Sequence, residues 1–312
     1  MTIGITLIIP CFNSGPYISE TISSIDNQIG DFNIDEIIIV DDASDDATKN
    51  LLEELNQGNN LVRVVQNSGA KGAAGARNTG LHMACSEWVI FLDADDVLTE
   101  NSIQVRVEAL KKYPRCGWIS GDFSLWNGLH NEEPVNFFQS HKKTYDVLEK
   151  SFLSKQEIRI SNPVPEFISV CITAVGVGLI KKSLVIELGG FREHLKQAED
   201  YQFWIRLARI SDFVFVPEVL MLYRQHDAST TAQDLPPRFW TIKAFEELLN
   251  DLSFLSYRVL INERLAEFHI ENSFYFRKKK CRARAIKCLL KSFLQKPSVK
   301  PCRFILSAIL KG

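Results

Sequence analysis

The sequence predicts an α/β fold with a mostly parallel central sheet flanked by helices and a helical C-terminal extension. Three observations carry this. Short apolar runs alternate with helical patterns through the first hundred residues. The runs are apolar throughout rather than at every second position, as expected of strands covered on both faces. No convincing strand follows Pro236.

The elements follow in order. Ile5 to Pro10 is a buried strand, ended by the proline. Pro16 suits a first helical turn, and Ile18, Ile22, Ile25 and Ile29 recur at helical spacing behind it. Glu36 to Val40 is a second strand, dense in β-branched residues. Ser44 or Asp45 can cap the helix that carries Leu51, Leu52 and Leu55. Leu61–Val65 is a third strand, Gly72–Ala84 a helix of small residues, and Trp88–Leu92 a fourth strand. The stretch from about 115 to 230 is less regular. Its strand candidates are Cys116–Ser120, Ile172–Leu179 and Phe213–Val216, and a helix starts near Glu199 with Tyr201, Trp204, Ile205 and Ala208 on one face.

The 312 residues hold 36 Lys and Arg against 38 Asp and Glu, and 46% of them are hydrophobic. That balance excludes a disordered, collagen-like or coiled-coil chain. The charge is unevenly spread. Residues 270–312 carry 12 basic side chains and one acid, Glu271, whereas residues 1–269 carry 24 basic and 37 acidic ones. A basic tail on an acidic body implies a separate partner for the tail. The first basic residue is Lys49, so the apolar start lacks the charged flank of an export signal. The longest uncharged apolar run, Phe167–Ile180, is too short to span a bilayer. Seven cysteines without a CxxC pair read as reduced thiols rather than a zinc site. A cytoplasmic protein is expected.

In such a sheet, ligands bind beyond the carboxyl ends of the strands. Three predicted strand ends carry polar groups: Pro10-Cys11-Phe12-Asn13, Asp41-Asp42 and Asp93-Ala94-Asp95-Asp96. Five carboxylates on one edge repel one another and favour a bound cation, with a hard divalent ion the simplest choice. The competing role for these acids is capping of the helices that follow. In Gly72–Gly80 small residues permit close backbone approach, and Arg77 suits a phosphate or nucleotide. A tightly packed helix with Arg77 reaching outward is the other reading. Neither a P-loop nor GxGxxG is present.

Seven pieces in order resemble the inverting family 2 glycosyltransferases of the GT-A fold. They are Leu7–Asn13, Ile39–Thr48, Gly72 with Ala76–Gly80, Phe91–Asp96, Gly189–Glu193, Ala198–Leu207 and Tyr223–His226. The resemblance covers about 1–230. It implies a catalytic domain there, with nucleotide binding in about 1–115 and acceptor binding in about 116–230, followed by a basic helical region at 231–312. It implies that Pro10, Phe12, Asn13 and Asp42 hold the base of a nucleoside-diphosphate sugar, UDP- or dTDP-linked. Arg77 would lie along the nucleotide, and Asp93 and Ala94 would contact it. Asp95 would bind Mg²⁺ or Mn²⁺, with His226 as a second contact to metal or diphosphate. Asp200 would be the general base, and Glu199 and Trp204 candidate acceptor contacts, although the face that carries Trp204 suits the core equally. One base without an acid fits inversion, because a metal-neutralised diphosphate leaves unprotonated, whereas hydrolysis needs a second carboxyl group.

Gln202–Arg206 departs from the Gln-x-x-Arg-Trp of processive synthases, so transfer of one sugar per encounter is expected. The acceptor would be a glycan or a lipid-linked sugar of the cell envelope. The basic amphipathic stretch 277–294 suggests peripheral contact at the inner face of the cell membrane, and nucleic acid is not an expected partner. Two other classes compete. A sugar-nucleotide-forming nucleotidyltransferase would need a glycine-rich basic loop after the first strand, where Pro-Cys-Phe-Asn-Ser-Gly stands instead. A non-catalytic glycan- or nucleotide-binding protein would tolerate loss of Asp200.

Overall fold

A computed structural model describes residues 2–127, 135–226, 235–298, 301, 302 and 304. The first half alternates as expected: β1 (Ile3–Cys11), α1 (Gly15–Asp26), β2 (Phe32–Asp41), α2 (Asp46–Gly58), β3 (Val62–Gln66), α3 (Ala73–Met83) and β4 (Trp88–Phe91). There follow β5 (Val97–Leu98), α4 (Ser102–Lys112), β6 (Trp118–Trp126), β7 (Val135–Asn136), α5 (Phe137–Ser140), α6 (Lys142–Ser154), β8 (Ile158–Ile160) and α7 (Val164–Ser169). Next come β9 (Leu179–Lys181), α8 (Lys182–Glu187), α9 (Glu199–Ile210), β10 (Phe213–Arg224), α10 (Phe239–Asn250), a 3₁₀ turn (Leu252–Tyr257), α11 (Arg258–Lys278) and α12 (Arg282–Gln295).

The chain divides into two compact units. One comprises Met1–His194 with Phe203–Ala228, the other Leu195–Gln202 with Ser229–Gly312. The first turn of α9 therefore groups with the second unit and the rest of that helix with the first.

The first unit holds one sheet of ten strands in the order β3-β2-β1-β4-β9-β6-β10-β5, with β7 on β6 and β8 on β10. The sheet is mixed rather than mostly parallel in its pairings. β1 pairs in parallel with β2 and β4, β2 with β3, and β6 with β10. Short β9 is antiparallel to both β4 and β6, so those two run the same way. Six strands thus point their carboxyl ends at one edge, where Cys11, Asp41, Gln66, Phe91, Trp126 and Arg224 end them. This places every polar strand end on one rim.

Local chemistry explains the boundaries. Pro16 opens α1, and Ile18, Ile22 and Ile25 are buried beneath it. Ile29, expected on the same helix, lies beyond its end and is exposed, because Gln28 is bonded to the backbone of Thr99 and Ile103 as the chain turns away. Asp45, not Ser44, caps α2 through the Thr48 amide at 2.8 Å.

The expected strand Ile172–Leu179 is mostly a buried loop, and only Leu179–Lys181 pairs. Gly176 has φ +94° and breaks the extended path. The loop is held by side chains instead. Arg106 donates to the Gly176 carbonyl at 3.1 Å, and the Ser120 and Thr173 hydroxyls bond at 2.7 Å. An apolar run alone cannot distinguish such a loop from a strand. Conversely, β6 and β10 extend well past their expected ends. Asp122 is tolerated in mid-strand because its carboxylate receives the Phe138 and Gln139 amides at the start of α5. Pro217 is tolerated because the register with β6 shifts there.

In the second unit, Phe245, Phe254, Ile261, Leu265, Phe268, Ala285 and Leu289 form the apolar core. Phe245 meets Phe268 edge-on at 5.1 Å, and Lys296 pairs with Glu263 at 2.8 Å. No helix among the described residues is long and apolar enough to cross a membrane.

His269 is buried on α11. Burial, and secondarily the charge of Lys291, lowers its pKa to about 4. The unfolded chain therefore binds the proton first as pH falls. The neutral ring's contribution is intact above about pH 6.5 and is lost progressively towards pH 4. The full effect is about 3 kcal/mol. Urea unfolding of the helical signal between pH 7 and 4.5 should show this slope, and His269→Phe should flatten it.

Candidate functional site

The rim of the first unit is built from four strand ends. After β1, Phe12 is 49% exposed and Asn13 takes a left-handed φ of +54°, a conformation asparagine tolerates. The Asn13 amide donates to Ser44 Oγ at 3.0 Å, and its side-chain oxygen receives the Asp45 amide at 2.8 Å. These two bonds join the turns that follow β1 and β2. Pro10, half-buried, stands opposite Val40, one residue before the β1 register ends at Cys11 opposite Asp41.

The two acids that end β2 differ in use. Asp41 receives the Ser44 amide at 3.1 Å and the Gln66 side chain at 3.1 Å, which makes it a buried brace. Asp42 receives Asn67 Nδ2 at 2.6 Å and the Gly72 amide at 2.8 Å. Each carboxylate oxygen of Asp42 has further acceptor capacity for a ligand N–H.

Arg77 projects from α3, and its guanidinium meets Asp93 at 2.7 Å and the Phe191 ring at 5.4 Å. It is only 3% exposed, so the outward-reaching alternative is excluded. Helix α3 is fixed by Asn78, which donates to the Phe191 carbonyl and Glu193 and receives the Phe191 amide. Glu193 also receives the Ala70 amide at 2.7 Å. The loop between β3 and α3 is thereby clamped from two sides. A Cβ at Gly75 would stand 1.9 Å from the Ala70 carbonyl oxygen. Because Ala70 is anchored, Gly75→Ala should cost about 1–3 kcal/mol, read as a fall of several degrees in melting temperature. An unchanged melting temperature would mean that the loop relaxes freely.

Beyond β4, Asp93 and Asp95 are both half-buried, whereas Asp96 is buried. Ala94 is buried, and its carbonyl receives the Thr21 hydroxyl at 3.0 Å. Ala94 can therefore contribute shape and backbone to a ligand site but little contact surface. Asp95 Oδ2 lies 2.8 Å from His226 Nε2. Burial, then the charge of Asp93, raises the Asp95 carboxyl, and His226 partly offsets this. Asp96 is buried and receives the Arg224 amide at 3.0 Å. Burial and then the charges of Asp93 and Asp95 push its pKa well up. Of the five acids on the rim, Asp41 and Asp96 are thus occupied as structural braces.

Arg224 is the main residue the sequence reading missed as a site component. It donates to the Asp95 carbonyl at 2.8 Å and to the Glu20 carboxylate, and lies over the rings of Trp126 at 4.3 Å and Tyr17 at 5.1 Å. Tyr17 also stacks on His226 at 4.7 Å. The Tyr223–His226 motif was the signal that could have pointed to Arg224. Trp126, Glu20 and Tyr17, which lie 98, 204 and 207 positions from Arg224, had none.

The donor set at Asp95 and His226 fits a hard divalent ion that arrives with a diphosphate. Among the described residues no group of three or more His, Cys, Asp or Glu could hold a metal alone. One carboxylate plus ligand phosphates is a usual Mg²⁺ arrangement, and a cation relieves the like-charge strain between Asp93 and Asp95. His226 Nδ1 is buried and has no hydrogen-bond partner among the described residues.

Two predicted residues lie in the second unit. Glu199 and Asp200 open α9, both half-buried, and Asp200 Oδ1 receives the amide of Tyr201 at 2.7 Å. Trp204, a candidate acceptor contact, is 1% exposed. It stacks on Trp118 at 5.4 Å and meets Phe191 edge-on. Its size and apolar surface place it in the core, away from any face an acceptor could touch.

Comparison with known proteins bears on the family and the fold. The model of the family described as Glycosyl transferase family 2 matches residues 6–160. A curated relative from Escherichia coli, UDP-Glc:alpha-D-GlcNAc-diphosphoundecaprenol beta-1,3-glucosyltransferase, is 31% identical over 147 residues, which cover 47% of this chain and 55% of that protein. The chain thus aligns with about half of this relative's length. Among solved structures, S. aureus TarS 1-349 in complex with UDP-GlcNAc superposes with a TM-score of 0.66 at 19% identity, covering 95% of this chain and 82% of that one. The mannosyltransferase from Pyrobaculum calidifontis, in complex with GDP-Man and Mn²⁺, gives 0.61 at 20% identity, covering 98% and 79%. At these identities the structural likeness speaks for the GT-A-like fold.

Proposed function

The chain belongs to glycosyl transferase family 2, and on that premise we propose that it moves a single sugar, with inversion, from a nucleoside-diphosphate sugar to an acceptor hydroxyl. The observation that carries this is the rim itself. Asp42, Asp93, Asp95 and His226 follow the carboxyl ends of parallel strands, Arg77 reaches Asp93 from α3, and Asp95 and His226 are in contact. A pyrimidine base, uracil or thymine, would place its ring N–H on Asp42 near Phe12. Arg77, anchored by Asp93, supplies positive charge beside the nucleotide.

Asp95 and His226 would hold Mg²⁺ or Mn²⁺, an ion that, when bound, neutralises charge on the departing diphosphate. Asp200 takes the proton from the acceptor hydroxyl. The acceptor oxygen bonds to the anomeric carbon, the bond from that carbon to the diphosphate oxygen breaks, and the nucleoside diphosphate leaves. Glu199 would help to position the acceptor. The curated relative named for a diphosphoundecaprenol substrate supports a lipid-linked acceptor of cell-envelope glycan synthesis. Work on such an acceptor would place the protein at the inner face of the membrane.

The test is a thermal-shift panel of nucleotide sugars with Mn²⁺, followed by product analysis. A selective ligand raises the apparent melting temperature, and turnover should release nucleoside diphosphate. Release of pyrophosphate would mean a nucleotidyltransferase instead, and ligand binding without turnover a non-catalytic protein.

A further inference from the structure

Helix α12 divides its side chains by face. Ala285, Leu289 and Ser292 are buried. Leu290 is 50% exposed, Leu294 79%, and Phe293 is exposed beside them. Arg284, Lys287 and Lys291 are exposed as well. The spacing is regular. Leu290 and Leu294 are four apart, as are Lys287 and Lys291, and each lysine stands three residues before a leucine. Such residues are neighbours on a helix surface. An apolar stripe therefore runs directly beside a cationic one. Before α12, Arg277, Lys278, Lys279 and Lys280 are exposed at the turn from α11.

A face of this composition is poorly matched to water, since leucines four apart stay exposed although the buried face of the same helix is already apolar. It is equally poorly matched to an acidic protein groove or to nucleic acid, which would use the cations and leave the leucines in water. A lipid surface uses both. Anionic headgroups attract the lysines and arginines, and the neighbouring leucines enter the boundary between headgroups and acyl chains. Leu289, although apolar and next to Leu290 in sequence, is buried in its unit and is no part of that stripe.

We propose that the outward face of α12, with the basic turn 277–280, is a docking surface for an anionic lipid bilayer, into which Leu290, Phe293 and Leu294 insert. The proposal goes beyond the reaction assigned above and stands without it.

The test is flotation of the full chain with vesicles of phosphatidylcholine alone or with about 3:1 phosphatidylcholine to phosphatidylglycerol. The wild type should bind the anionic vesicles about tenfold or more better, and weaken as salt is raised. Leu290→Gln with Leu294→Gln, and separately Lys287→Glu with Lys291→Glu, should each reduce that binding by about tenfold or more. All four positions are exposed, so the melting temperature should stay within a few degrees of wild type and confirms that the variants are folded. Equal binding of wild type to both vesicles overturns the proposal, as does wild-type binding by the leucine variant. A chain that binds RNA but not vesicles, with loss only in the lysine variant, assigns the surface to a polyanion instead.

Discussion

Asp200→Asn should lose sugar transfer by about 10²–10⁴-fold, the range a positioned general base supplies, while its affinity for the nucleotide sugar stays within about twofold of wild type. The substitution keeps the shape of the side chain and its acceptor oxygen for the Tyr201 amide. It removes the ability to take a proton at neutral pH. Rate and binding should therefore separate: kcat falls and KM for the donor does not rise. Glu199→Gln is the companion measurement, because it sits beside Asp200 in the same helical turn. If Glu199 only positions the acceptor, its loss should appear mainly in the acceptor KM. Near wild-type transfer by Asp200→Asn would end the assignment of the base, and would leave the nucleotide rim intact as a separate claim.

Asp95→Ala should affect the other half of the reaction. With the carboxylate gone, His226 loses its 2.8 Å partner, and a cation held beside the diphosphate, as proposed, would lose its protein anchor. Transfer should fall by about 10²-fold or more, corresponding to several kcal/mol of lost charge stabilisation. The binding readout is more diagnostic than the rate. Calorimetry should show that Mn²⁺ strengthens UDP binding to the wild type and hardly changes it in Asp95→Ala. A chelator should likewise reduce wild-type transfer and leave little further effect in the variant. Full activity of the wild type after thorough chelation would remove the metal from the mechanism. Asp96→Ala is a contrasting variant. Its carboxyl is buried against the Arg224 amide, so its loss should appear first as lower stability.

Much of the first unit was legible in sequence because burial and backbone direction act locally. Apolar runs bounded by Pro10, Asp41 and Asp93 specify β1, β2 and β4, and Pro16 with Asp45 specifies how the following helices begin. The middle of the chain was harder for a physical reason. Gly176 at positive φ turns an apolar run into a loop, and Arg106 reaches across from α4 to bond its carbonyl. Neither effect leaves a periodic trace. The reach of β6 and β10 was hidden by Asp122 and Pro217, residues that usually interrupt strands and here serve a helix start and a register shift.

By itself the sequence determined the α/β class, the gathering of polar strand ends on one rim, and the chemical types that gather there. A residue's position along a strand follows from the polypeptide's own alternation and stop signals, so those features are encoded within a few neighbours. Only the tertiary structure decided how the acids divide their work. Asp41 and Asp96 are buried against the Ser44 and Arg224 amides, Asp42 receives both Asn67 and the Gly72 amide, and Asp93 and Asp95 are set against Arg77 and His226. It also set Arg224 between Tyr17, Glu20 and Trp126, sent Trp204 into the core, and turned Leu290 rather than Leu289 outward. Those outcomes depend on contacts between residues far apart in the chain, and the free energy of such a contact exists only once folding has brought its partners together.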